Sequence, residues 1–265
     1  MRRDTLWAGF ILFVFFGCNA MAQDNPSYEK KKLVQGKDTL LYRILYPENF
    51  SEDASYPLIL FLHGAGERGD DNEKQLTHGS ELFTNASHRK EFPAIVVFPQ
   101  CPEDDYWANV DVNRSSYPVG LNFNYEKGPT KPLSLLMELL EQMRGKSYVA
   151  KDKVYVMGLS MGGMGTFELL SRKPDVFAAA VAICGGGDPD SVTEYASEVP
   201  LWAFHGAKDN VVAPQQSITM VSALLKEGGL PRFTLYDDAD HNSWDPAFAE
   251  PGLLPWLFSH SLKKE

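Results

Sequence analysis

The sequence predicts an α/β fold with a mostly parallel central sheet covered by helices on both faces. Three observations carry that prediction. From Thr39 onward, short apolar runs alternate with segments of helical period. The run Pro57-Leu58-Ile59-Leu60-Phe61-Leu62 is apolar almost without a break, as a strand buried on both faces must be. Several such runs end in loops carrying Gly, Asp or His, at the strand ends where ligand-binding groups collect in open α/β sheets.

The elements follow in order. Met1-Arg2-Arg3, the apolar run Leu6 to Phe16 and the small residues Ala20-Met21-Ala22 have the pattern of a secretory signal over residues 1–22. Export to the periplasm or the medium is the expectation. The apolar stretch is too short for an ordinary spanning helix. Phe16-Gly17-Cys18 offers a lipid anchor at Cys18 as the alternative, although Phe15 stands where such signals usually carry leucine. Residues 23–38 are polar and read as an N-terminal arm, and residues 39–265 as one catalytic domain. Thr39 to Tyr46 alternates loosely and reads as an edge strand. Further strands are expected over Leu58–Leu62, Ala94–Phe98, Val154–Met157, Ala178–Cys184, Leu201–His205 and Arg232–Tyr236. Helices are expected over Pro132–Arg144, Met161–Ser171, Pro214–Glu227 and Gly252–Ser259. Pro132 suits a first helical turn, and Gly228-Gly229 stops the helix before it. The stretch Cys101 to Gly128 has no clear period and many aromatics and amides. That suits either an Ω-like packed loop or a surface for a sugar or phenolic ester.

The chain carries 35 acidic and 25 basic residues, a formal net charge of −10. That disfavours nucleic acid and anionic membrane as partners. No Cys/His cluster has structural-zinc spacing, and no cofactor is called for. Cys101 and Cys184 can pair in an oxidising compartment, but the apolar run before Gly185 makes Cys184 read as a buried thiol.

The chemistry centres on Gly158-Leu159-Ser160-Met161-Gly162, directly after Val154-Tyr155-Val156 and before an apolar-periodic stretch. A serine nucleophile must project from a tight turn, and glycines on either side let the backbone make it. Ser160 also admits a plain reading as a turn or cap serine. A nucleophilic serine needs a base, and the base an orienting acid. Asp209 follows the strand ending in His205-Gly206, and His241 follows the strand ending at Tyr236. Asp188, after Gly185-Gly186-Gly187, and Asp240, beside the histidine, are rival acids. His63 and His205 are rival histidines, with a structural hydrogen bond the expected task of His205. His63-Gly64-Ala65-Gly66-Glu67-Arg68-Gly69 has three glycines in seven residues, so its backbone approaches something closely. The backbone N–H groups of Ala65 and Met161 are the expected oxyanion donors. Glu67 and Arg68 read as an ion pair pinning the loop or as solvated charges. Trp107 and Trp244 are candidate walls of a substrate pocket, with plain packing the alternative.

These segments, with Phe98-Pro99-Gln100-Cys101-Pro102 and His241-Asn242-Ser243-Trp244, resemble the α/β-hydrolase superfamily. More narrowly, they resemble secreted bacterial carboxylesterases related to feruloyl and acetyl-xylan esterases, with a prolyl-oligopeptidase-like catalytic domain. The resemblance spans most of the chain from Tyr42. It implies a serine carboxylesterase with Ser160 as nucleophile, Asp209 as acid and His241 as base, acting on small-molecule or oligosaccharide esters such as feruloyl or acetyl groups. Relatives often carry glycine where this chain has Asp240. A serine peptidase and a non-catalytic binding module are the alternatives. The first is disfavoured by the lack of room for a propeller domain, the second by the complete set of site residues.

Overall fold

The computed structural model describes residues 28–263. The signal and Cys18 expectations lie outside the described residues. The strands are β1 (Glu29–Gln35), β2 (Asp38–Leu45), β3 (Tyr56–Leu62), β4 (Ile95–Gln100), β5 (Val110–Asn113), β6 (Gly120–Phe123), β7 (Val149–Leu159), β8 (Ala179–Ile183), β9 (Leu201–Gly206) and β10 (Arg232–Tyr236). The helices are α1 (Ser80–Thr84), α2 (Ala86–Glu91), α3 (Lys131–Arg144), α4 (Met161–Arg172), α5 (Gln215–Lys226), α6 (Trp244–Phe248) and α7 (Leu253–Phe258). Eight strands form one sheet in the order β1-β2-β4-β3-β7-β8-β9-β10, and β5 and β6 form a separate hairpin. The pairings β1/β2 and β2/β4 are antiparallel and every pairing from β4 to β10 is parallel.

The alternation of side chains along the strands divides the core between two faces of the sheet. On β3, Leu58, Leu60 and Leu62 pack with Leu136 and Leu140 of α3, Phe167 of α4 and Met220 of α5. Ile59 and Phe61 point the other way, to Leu82 and Phe83 of α1 and Leu253, Leu254 and Leu257 of α7. Thr130 caps α3 by accepting the Leu133 N–H at 3.3 Å, and Pro132 sits in its first turn. Among the described residues no helix is long and apolar enough to cross a membrane.

The arm expected over residues 23–38 is corrected by β1. Seven residue pairs join β1 to β2, so the strand exists through its backbone. Among its side chains only Leu33 is buried, and Glu29-Lys30-Lys31-Lys32 stay exposed, which is why no alternation appears in the sequence. Charged side chains of this kind protect a sheet edge from further pairing. β2 is consequently an internal strand rather than the edge. The stretch after Cys101 is a packed excursion built on the β5/β6 hairpin. It is tied to α4 by Glu168, whose carboxylate accepts the Asn109 N–H at 2.6 Å and the Arg172 Nε–H at 2.7 Å. Cys101 and Cys184 are buried free thiols, not a disulfide.

Candidate functional site

β3 and β7 are neighbours, yet the chain leaves β3 toward β4 and leaves β7 toward β8 on the opposite side. That reversal opens a crevice at the carboxyl ends of the two strands. Register brings these ends level: Leu62 pairs with Gly158, Leu159 with Ile183 and Ile183 with Phe204. The segments after β3, β7, β9 and β10 carry Ala65, Ser160, Met161, Asp209 and His241, the residues the sequence analysis assigned to the reacting centre.

Ser160 stands between β7 and α4 with φ 52 and ψ −116. A side chain in that region costs roughly 1–3 kcal/mol and persists only where the surroundings impose it. The surroundings are backbone. A Cβ at Gly158 would lie 2.1 Å from the Gly162 carbonyl oxygen, and one at Gly162 would lie 1.9 Å from that of Leu62. Gly162→Ala is therefore expected to cost at least about 3 kcal/mol, lowering Tm by about 6 °C or more. A thermal melt checks it, and an unshifted Tm would mean the elbow tolerates a side chain.

Ser160 Oγ is 3.0 Å from His241 Nε2. His241 Nδ1 donates to Asp209 Oδ2 at 2.7 Å. Asp209 Oδ1 accepts the Val211 and Val212 N–H groups, each at 2.9 Å. His205 is the residue whose full part the sequence did not disclose. It is completely buried, its Nε2–H reaches the Val212 carbonyl at 3.0 Å, and Asp209 Oδ2 lies 3.2 Å from the same nitrogen. Its Nδ1 is 2.7 Å from Ser217 Oγ. Burial disfavours charge on Asp209, but hydrogen bonds from His205 and His241, the charge of His241 and the Val211 N–H outweigh it. They hold the carboxyl well below the usual range.

The rival acids stand elsewhere. Asp188 caps a short 3-10 helix by accepting the Asp190 N–H at 3.0 Å, and Asp240 is exposed. Cys184 is a neighbour the sequence did not place here: its Sγ and the facing atoms of Asp209 and His241 lie within 4.8 Å of one another. Among the described residues this is the only set with metal-ligand spacing, and the hydrogen bond between His241 and Asp209 already engages two of its members.

The loop after β3 lies against the elbow. A Cβ on Gly64 would sit 3.6 Å from Ser160 Cβ. Ala65 opens a 3-10 helix and Met161 opens α4, so both N–H groups are first-turn donors with no intrahelical acceptor. Arg68 pins the loop through carbonyl groups rather than through Glu67. Its Nε donates to Ala65 O at 2.9 Å and its Nη1 to Asp105 O at 3.2 Å, while the guanidinium lies over Tyr106. Glu67 turns instead toward His78.

Trp107 is corrected. It is fully buried, with its ring edge-on to His63 at 5.3 Å and its Cβ against Gly165 of α4. It has no free face for a ligand and acts as a prop under the loop after β3. Trp244 is half-buried at the start of α6, edge-on to His241 at 5.4 Å.

His63 is structural. Its Nδ1–H donates to Gly64 O at 2.7 Å and its Nε2 accepts the Cys101 N–H at 2.9 Å, both satisfied by a neutral ring. Burial pushes its pKa down from 6.5 to about 4. The unfolded chain therefore binds the extra proton first, and stability is lost as pH falls through that window. Lowering the pH from 6.5 to 5 is expected to remove about 1.5 kcal/mol through this residue. Urea denaturation at the two pH values measures it, and equal midpoints would contradict it.

Comparison with known proteins agrees with this architecture. The Esterase family model matches residues 37–245. Over 188 residues the chain is 26% identical to the bifunctional acetylxylan esterase/xylanase XynS20E of Neocallimastix patriciarum, covering 71% of this chain and 23% of that protein. The crystal structure of a thermostable esterase matches with a TM-score of 0.79 at 31% identity, over 89% of this chain and 63% of that one. The chain thus spans less than two thirds of either relative. The ferulic acid esterase AmCE1/Fae1A of Anaeromyces mucronatus, solved with ferulic acid, shares the fold with a TM-score of 0.64 at 17% identity, over 88% and 92% of the two chains. The chain belongs to the Esterase family and has the α/β-hydrolase fold.

Proposed function

We propose that this protein is a serine carboxylic ester hydrolase acting on acetyl, feruloyl or related esters of polysaccharides. The observation that carries the reading is the line of contacts from Ser160 Oγ through His241 to Asp209, at 3.0 and 2.7 Å. Ser160 Oγ attacks the ester carbonyl as His241 Nε2 takes its proton. The carbonyl oxygen gains the negative charge and is met by the N–H groups of Met161 and Ala65. Collapse of the tetrahedral intermediate breaks the bond to the alcohol oxygen, which takes the proton from His241 Nε2. Water then gives a proton to His241 Nε2 and attacks the acyl-serine carbonyl; the bond to Ser160 Oγ breaks, Oγ takes that proton back from His241, and the acid leaves. Asp209 holds the imidazole with Nδ1 protonated and balances its charge when both nitrogens carry protons.

The polysaccharide part of the reading is supported by the acetylxylan esterase and ferulic acid esterase named above. Labelling with a fluorophosphonate, followed by turnover of acetylated and feruloylated xylooligosaccharides beside aminoacyl amides, tests it. Labelling with turnover of the sugar esters is expected. Turnover of the amides alone would replace the ester reading with a peptidase.

A further inference from the structure

Six residues form a closed circuit of contacts around the face of the reacting serine. Ser160 Oγ meets His241 at 3.0 Å. The His241 ring meets Trp244 edge-on at 5.4 Å, and Trp244 meets His78 at 5.1 Å with the planes tilted by 44°. His78 Nε2 lies 3.8 Å from Glu67 Oε1. A Cβ built on Gly64 would lie 3.0 Å from Glu67 Oε2 and 3.6 Å from Ser160 Cβ, which closes the circuit. Ser160 and Trp244 are half-buried, and the side chains of His241, His78 and Glu67 are 19%, 35% and 12% exposed. A ring whose side chains all keep some exposure rims an opening and is not a packed core.

Two features of this rim are unexplained by ester chemistry alone. Glu67 is a largely buried carboxylate with no side-chain donor within hydrogen-bond distance among the described residues, since 3.8 Å to His78 is too long. Burial raises its pKa above the ordinary value despite the opposing charge of His78 and the backbone N–H groups of Gly64 and Glu67. Trp244 offers an aromatic surface beside these polar groups. A carboxylate with no side-chain partner, an imidazole and an indole around one opening are the groups that bind a sugar, through its hydroxyls and its apolar ring face.

The position in the reaction fixes which half of the ester lies there. The leaving alcohol takes its proton from His241 Nε2, so it departs on the His241 side. Trp244 and His78 continue from His241 on that side, and Glu67 reaches His78 from the loop after β3. Beyond His78 the rim opens into a groove lined by Thr77, Glu81, Asn85, Asp245 and Phe248, which has room for further sugar units.

We propose that Glu67, His78 and Trp244 form the subsite for the alcohol half of the ester, and that this alcohol is a hydroxyl-bearing sugar. The proposal rests on the esterase reading above and assigns the side of the site on which the carbohydrate lies. It also names Glu67 and His78 as residues that set specificity.

The test compares two acetates that differ only in the alcohol: an acetylated methyl β-xyloside and 4-nitrophenyl acetate. Glu67→Gln and His78→Ala are each expected to lower the ratio of kcat/KM for the xyloside to that for the nitrophenyl ester by roughly 10- to 100-fold, the range for losing a hydrogen bond to a charged or polar group. A third substrate, 4-nitrophenyl ferulate, reports on the acyl half. Wild-type turnover of the xyloside with its ratio unmoved in both variants would overturn the subsite and leave the esterase reading standing. A change confined to the acetate-to-ferulate ratio would move the residues to the acyl side and overturn it equally. Wild-type enzyme that cleaves 4-nitrophenyl acetate but no sugar acetate would overturn both this subsite and the polysaccharide substrate. The two variants change different segments of the loop after β3, so one that fails to fold leaves the other to decide.

Discussion

Ser160→Ala is expected to abolish fluorophosphonate labelling and to lower kcat by roughly 10⁵- to 10⁶-fold, because the members of such a triad act as a unit. The residual rate would come from the Met161 and Ala65 N–H groups and from binding. The fold should survive. The residue keeps its Cβ, so the backbone at φ 52 is neither more nor less strained than before. The lost hydrogen bond to His241 is partly exposed. Ser160→Gly supplies the complementary measurement. Without a Cβ the same backbone is unstrained, so this variant should lose activity equally but melt about 2–4 °C higher than Ser160→Ala, the shift for about 1 kcal/mol in a domain of this size. Turnover within tenfold of the wild type in either variant would remove Ser160 from the chemistry. Equal melting temperatures would show that the elbow holds no strain.

The parts of the molecule legible in the sequence are those where one local requirement leaves a mark on adjacent residues. The elbow needs glycine at 158 and 162 because backbone oxygens occupy the Cβ positions, and it needs an apolar strand before it. Asp209 and His241 are legible for a similar reason: each stands a few residues beyond a strand that pairs in parallel with its neighbour. β1 is illegible because an edge strand can be held by backbone pairing alone, with little side-chain burial to enforce a pattern. The β5/β6 hairpin did leave a mark. Val110-Asp111-Val112-Asn113 alternates between half-buried and exposed, but four residues are too short a window to separate from the aromatic loop around them. Trp107 shows the limit from the other side. An aromatic residue in a long loop reads alike whether it faces a ligand or the core. Its fate is decided by His63 and Gly165, both remote in the chain. The same holds for His78, which gains its meaning only when folding sets it against Trp244 and Glu67.

Asp209→Asn is expected to lower kcat by about 10⁴-fold while leaving the fold intact, the loss that follows when the base is held in the wrong tautomer. The geometry dictates how the amide must sit. The Oδ1 position receives the Val211 and Val212 N–H groups at 2.9 Å, so the amide oxygen is held there. The amide NH₂ then occupies the Oδ2 position, 2.7 Å from His241 Nδ1 and 3.2 Å from His205 Nε2. Toward His241 it can only donate, which forces Nδ1 to accept and moves the ring proton to Nε2, where it can no longer receive the Ser160 proton. Toward His205 it sets donor against donor, because the Val212 carbonyl already keeps the proton on Nε2. Asp188→Asn and Asp240→Asn should remain within about threefold of wild type, as one caps a short helix and the other is exposed. Because Asp209 in the wild type ionises well below the usual carboxylate range, it stays charged throughout the acid limb of kcat/KM. The acid limb of kcat/KM should therefore fall with unit slope, reporting one proton. A slope of two, or a loss in Asp188→Asn comparable to that in Asp209→Asn, would mean that another carboxylate shares the task of orienting His241.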